Sequence, residues 1–101
     1  MALAVVNFPK VAVESRLRKD LTDYVVAMAT MKSIPLPVGP AAQAKVTIQI
    51  DSLEVVNLLC NVEPLLGFEL KDSTVKTGGY TSVNEAIAHL MPRIEKAWQK
   101  H

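Results

Sequence analysis

Residues 50–59 read IDSLEVVNLL, an acid and a hydroxyl set directly before an apolar run at helical spacing. Before this point, KVTIQI (45–50) alternates Val46, Ile48 and Ile50 with polar residues, the period of a half-buried extended segment. After it, Leu53, Val56, Leu59, Val62 and Leu66 recur three or four apart, so the period becomes helical at Asp51. Asp51-Ser52-Leu53-Glu54 has the acid-x-x-Glu form of a capping box, which makes Asp51 the expected N-cap and Ser52 the first helical residue. Pro64 would leave the Cys60 carbonyl without its donor, so the helix is expected to kink or end near residue 63, with Gly67 stopping what remains.

Working outward, the extended segment has no second strand to pair with and is read as laying its apolar side chains on a helical core. Upstream, VESRLRKDLTDYVVAMATM places Val13, Leu17, Leu21, Tyr24, Val25 and Met28 on one face, predicting an amphipathic helix over residues 11–31 behind an irregular lead of residues 1–10. SIPLPVGPAAQA (33–44) carries three prolines and a glycine and reads as a long loop. FELKDSTVKTGGYTS (68–82) reads as a loop with one short helical turn. Ser82-Val-Asn-Glu85 is a second capping box, opening a last helix along Val83, Ile87, Leu90, Ile94 and Trp98 that Pro92 should bend. The expected fold is all-α: three main helices plus a short helical turn, with a long loop after the first helix.

Composition agrees with one domain, since half of the 101 residues are apolar and can form a small core without metals or disulfides. A net charge of +1 gives no general attraction to nucleic acid or to a membrane surface. The charge is unevenly spread, however. Residues 1–50 hold six basic and three acidic side chains, whereas residues 51–85 hold two basic and six acidic ones, so acid gathers around the opening motif. Cys60 is the only cysteine, which excludes an internal disulfide. No apolar stretch reaches the roughly 18 residues of a membrane span, and no signal-peptide pattern opens the chain. A cytoplasmic monomer is the expectation.

Ser52 is the residue with chemistry to offer. At the first helical position its hydroxyl should point outward, because Leu53 and Val56 are expected on the core side. The first-turn amides are unpaired and the helix dipole is positive there, so a phosphate esterified to that oxygen gains roughly 0.3–1 kcal/mol if exposed. The neighbouring acids Asp51 and Glu54 could hold a divalent metal while phosphate is transferred.

Asp51-Ser52-Leu53 resembles the signature of the acyl carrier proteins and related peptidyl carrier domains, in which the serine opening the second helix bears a phosphopantetheine arm. DSLEVVNLLCNVEPLLGFEL follows the family's pattern, including a Gly near the helix end and the apolar-acid-apolar Phe68-Glu69-Leu70. TSVNEAIAHL is similar to the family's last helix. The match is close from Ile48 to Leu90 and loose elsewhere. Departures are Gln49 where the family has Gly, a proline-richer loop, the Gly78-Gly79 insertion, and the absence of a strongly acidic character. The resemblance implies a carrier rather than an enzyme. It implies phosphopantetheine, donated by coenzyme A, on Ser52, with Asp51 assisting modification by helping to hold Mg²⁺. It further implies a docking surface of Leu53, Glu54, Val55, Leu58 and Leu59. The implied partners are a phosphopantetheinyl transferase, an acyl- or aminoacyl-loading ligase and downstream synthase enzymes of a specialised lipid or secondary-metabolite pathway.

Other reactive residues read as structural. Cys60 is expected as a small core hydrophobe, His89 and His101 have no partner at metal or triad spacing, and Trp98 and the methionines at 28, 31 and 91 are expected in core or end packing. TGGY (77–80) is a turn. Two rival functions stand beside the carrier: an unmodified carrier-like interaction module, and a small DNA-binding regulator using the basic Arg16, Arg18 and Lys19.

Overall fold

The computed structural model describes residues 7–100, and among these it is mostly helical with no strands. The elements are α1 (Lys10–Met31), α2 (Pro40–Gln43), α3 (Ser52–Leu59), α4 (Glu63–Leu66) and α5 (Val83–Gln99), with one 3-10 turn at Asp72–Thr74. Most of the expected irregular lead, and His101, lie outside the described residues.

Helix α1 forms the backbone of the packing, touching α2, α3 and α5. Its buried stripe is Val13, Leu17, Leu21, Val25 and Ala29, with Tyr24 and Met28 half-buried at its edge. The opposite face is laced by the i,i+4 pairs Arg18–Glu14, Arg16–Asp20 and Lys19–Asp23. At its C-terminus the Ile34 amide donates to Ala29 and the Ser33 amide to Thr30, the paired bonds of a Schellman motif. Ser33 occupies the left-handed position there, at φ 56°. Met31, expected in end packing, is instead 78% exposed.

The loop read over 33–44 contains the short helix α2, which begins at Pro40, where a missing N–H costs nothing. The extended segment does find a partner. Ile50 and Tyr80 form an isolated antiparallel bridge, exchanging both backbone bonds at 2.7 and 3.0 Å, and the Ile48 amide donates to the Thr81 carbonyl. This pairing buries Ile48 and Ile50 against the helices.

α3 begins at Ser52 as expected but ends at Leu59, four residues short of the expected end. The chain tightens there into i,i+3 bonds from Cys60, Asn61 and Val62 to the carbonyls of Asn57, Leu58 and Leu59. The turn sets Pro64 in the first turn of α4, which Gly67 closes in the left-handed conformation. The buried face also differs from expectation. Val55, Leu59, Val62 and Leu66 are buried, Val56 is half-buried, and Leu53 is 71% exposed. Cys60, expected in the core, is exposed, because the turn after Leu59 carries it off the buried stripe.

α5 starts at the Ser82 cap, whose hydroxyl accepts the Glu85 amide at 3.0 Å. Glu85 reaches back to the amide and hydroxyl of Thr81. The helix runs through Pro92 to Gln99, with Pro92 and the carbonyl-bearing Ala88 both on the solvent side, where water can satisfy the freed acceptor. Arg93 fixes the 3-10 turn by donating to the carbonyls of Ser73 and Thr74. Trp98 packs against Phe8 at a ring separation of 5.9 Å.

Candidate functional site

The start of α3 is held from three directions. Asp51 is the N-cap in extended conformation, and its Oδ1 accepts the Leu53 amide at 2.9 Å. This caps the second helical amide rather than the third, so the reciprocal box expected with Glu54 is replaced by a local turn. Tyr24 reaches across from α1. Burial raises its phenol pKa above the ordinary value; the Glu54 and Asp51 carboxylates add to this, and a hydrogen bond with the Asp51 backbone offsets part of it. A neutral phenol thus stands beside two acids at the helix entrance.

The third support is the turn before α5. Gly79, at φ 79°, presses on the Ile50 carbonyl so closely that a Cβ there would stand 2.0 Å from that oxygen and 3.0 Å from the Ser52 amide nitrogen. Gln49 ties the same turn by donating to the Gly78 carbonyl at 2.8 Å. Tyr80 anchors it from below: its hydroxyl accepts the Lys76 amide at 3.0 Å and lies 2.7 Å from His89 Nδ1. Burial lowers the His89 pKa, helped by the cationic Arg93 and Lys76 and opposed by Glu85. The shift favours the neutral ring, and the short bond ties His89 Nδ1 to the Tyr80 hydroxyl.

Ser52 is half-buried, and its hydroxyl makes no hydrogen bond to any described residue. Leu53 beside it is 71% exposed and Glu54 is exposed, while Leu58 is half-buried one turn further on. Val55 and Leu59, expected on a docking surface, are 0% and 2% exposed and belong to the core. They cannot touch a partner, because the helix face that α1 covers contains them. A docking surface on α3 therefore reduces to Leu53, Glu54 and Leu58.

Sequence reasoning missed Tyr24, Gly79 and Tyr80 as parts of this site. The adjacent Gly-Gly-Tyr was the one available signal, but it reads locally as a turn until its pairing with Ile50 is known. Among the described residues no group of three or more His, Cys, Asp or Glu is arranged to hold a metal, and no helix is long and apolar enough to cross a membrane. No family model, no curated protein and no solved structure matches the chain.

Proposed function

We propose that this chain is a carrier protein, with Ser52 bearing a phosphopantetheine arm whose thiol holds an acyl or aminoacyl group as a thioester. The observation that supports this reading most is the state of the Ser52 hydroxyl, which makes no hydrogen bond to any described residue at the first position of a capped helix. Because Asp51 already caps the helix, the Ser52 oxygen is not needed to close its start. The arm would be esterified to Ser52 Oγ, where the dipole and free amides of α3 favour its phosphate. Asp51 commits one oxygen to Leu53, so the other is available as a ligand to a metal brought in with the transferase. The bound arm supplies the reactive thiol; this chain supplies the fixed attachment point and a surface.

On this reading the arrangement is a single carrier-like bundle in which α1, α3 and α5 are the main helices. It would work in the cytoplasm and present Leu53, Glu54 and Leu58 to a phosphopantetheinyl transferase, a loading ligase and synthase enzymes. The DNA-binding alternative gains nothing from α1, whose Arg16, Arg18 and Lys19 are each engaged with a carboxylate of the same helix.

Incubation with coenzyme A, Mg²⁺ and a broad-specificity phosphopantetheinyl transferase tests the proposal by intact mass. The expected result is a gain of one phosphopantetheine that Ser52→Ala abolishes. No gain, or a gain that persists in Ser52→Ala, would overturn it, and no gain would favour the unmodified interaction module.

A further inference from the structure

Arg93, Lys96, Ala97 and Lys100 recur at i, i+3, i+4 and i+7, so they share one face of α5 toward its C-terminal end. That face stays out of the core, into which α5 turns Leu90, Met91 and Ile94 instead. Opposite it runs the segment 68–74, whose Phe68 and Leu70 lie half-buried against the core. Two tethers hold this segment in place. Glu63 accepts the Leu70 amide at 2.8 Å, and Arg93 donates to the Ser73 and Thr74 carbonyls at 2.7 and 3.0 Å. Between the two walls lies a cavity of about 580 Å³, within the size range of small-molecule sites.

Its chemistry is divided by depth. The half-buried lining residues are all apolar, Phe68, Leu70 and Ala97, whereas Lys71, Arg93, Lys96 and Lys100 are exposed and form a cationic rim. Glu69 is the one acid among the described lining residues; Asp72 and Glu95, close by in sequence, do not line the cavity. Lys71, Lys96 and Lys100 enter no ion pair and no side-chain hydrogen bond among the described residues. The contrast is with α1, where Arg16, Arg18 and Lys19 each meet a carboxylate. The negative end of the α5 dipole accounts for Lys96 and Lys100. It does not account for Lys71, which comes from the facing wall. Four cations against one carboxylate leave a positive field over the opening, and the apolar interior rewards the burial of hydrocarbon.

We propose that this cavity binds an amphiphilic anion, its hydrocarbon body on Phe68, Leu70 and Ala97 and its carboxylate or phosphate head between Lys71 and the α5 lysines Lys96 and Lys100. Arg93 is a positioning residue, since its bonds to Ser73 and Thr74 hold the two walls together. The site is separate from Ser52. α5 begins at the turn that packs on the Ser52 amide, and Arg93 lies ten residues beyond Val83, about 15 Å further along the helix. The inference is therefore independent of the carrier reading.

The test titrates the isotopically labelled full chain, without a phosphopantetheine arm, with octanoate, octyl phosphate and octanol below any micelle-forming concentration, and with acetate and inorganic phosphate. Fatty carboxylates and phosphorylated lipids share the proposed chemistry, and the first two probes separate them. The expected result is a saturable amide shift over residues 68–74 and 92–100 with at least one of the two octyl anions. Octanol, lacking the charge, and the head groups alone, lacking the chain, should each bind about fivefold or more weakly. Lys71→Glu combined with Lys96→Glu should weaken the octyl anion by about tenfold or more and leave octanol unchanged. Both lysines are exposed, so the melting temperature should hold, and Ala97→Leu, which narrows the cavity, should weaken the octyl anion and octanol together. Ser52→Ala should change nothing. The proposal is overturned if neither octyl anion gives a saturable shift, if the shifts centre on other residues, if octanol or a bare head group binds as tightly, or if the double charge reversal leaves the affinity intact.

Discussion

Gly79 shows how much of the Ser52 site depends on an atom that is not there. Its φ of 79° is open to glycine but strained for other residues, and the space where a side chain would begin is filled by the Ile50 carbonyl, 2.0 Å from an added Cβ. That carbonyl belongs to the backbone pair with Tyr80, so it cannot retreat without breaking the bridge that leads into Asp51 and Ser52. Gly79→Ala should therefore destabilise the fold by roughly 2–4 kcal/mol, measured by urea denaturation. Gly78→Ala is the control, having the same sign of φ but open space around it, and should cost clearly less. Equal losses would show that backbone strain alone acts at this turn. None of this was legible beforehand. TGGY reads as a turn from composition, but which of its glycines meets another segment is settled by a pairing across about thirty residues of chain, which local sequence does not encode.

Among the elements, α3 separates what the sequence determines from what it leaves open. Its start is written locally, since Asp51 offers a capping carboxylate directly before a helical apolar run, and the N-cap is found there. Its face is not. Leu53, Val55, Val56, Leu58 and Leu59 are all apolar, so the register through 53, 56 and 59 and the register through 55, 59 and 62 are equally good stripes. Packing against α1 selects the second, and the choice turns Leu53 outward and Val55 inward. α1 left no such ambiguity, because its charged residues occupy the alternative face. The consequence is a pair of opposite outcomes from one substitution type. Leu59→Ala, removing a side chain only 2% exposed, should cost about 2–5 kcal/mol, whereas Leu53→Ala should change stability by no more than about 0.5 kcal/mol. Thermal and urea unfolding would measure both, and comparable losses would mean that the first register is the true one. If the carrier reading holds, Leu53→Ala should instead slow modification of Ser52 by the transferase, because the exposed side chain stands next to the acceptor.

For the molecule as a whole, the turn that pairs with Ile50 is tied to α5 by the hydrogen bond from Tyr80 to His89 at 2.7 Å, alongside the Thr81–Glu85 bonds. The Tyr80 backbone holds Ile50, its hydroxyl holds the Lys76 amide, and His89 fixes that hydroxyl to the last helix. The His89 pKa lies below its ordinary 6.5, mainly through burial and then through Arg93 and Lys76. A histidine shifted in this direction is neutral in the fold while the unfolded chain already binds a proton. Stability therefore gains nothing from it above about pH 6.5 and falls as the pH is lowered from there to the folded-state value. Glu85 acts at lower pH. Its bonds from the Thr81 amide and hydroxyl depress its pKa below 4.5, so its contribution is present above that value and is lost as the pH falls through the folded-state value. Urea midpoints measured from pH 7.5 downward should accordingly decline in two stages, the first beginning near pH 6.5. His89→Asn, which cannot titrate but retains a short polar acceptor, should flatten the first stage and leave the second. The Ile50 and Tyr80 amides should lose hydrogen-exchange protection with the same pH dependence as the first stage. A midpoint that holds steady or rises between pH 7.5 and 5.5 in the unmodified sequence would show that the Tyr80–His89 bond does not join these parts of the fold.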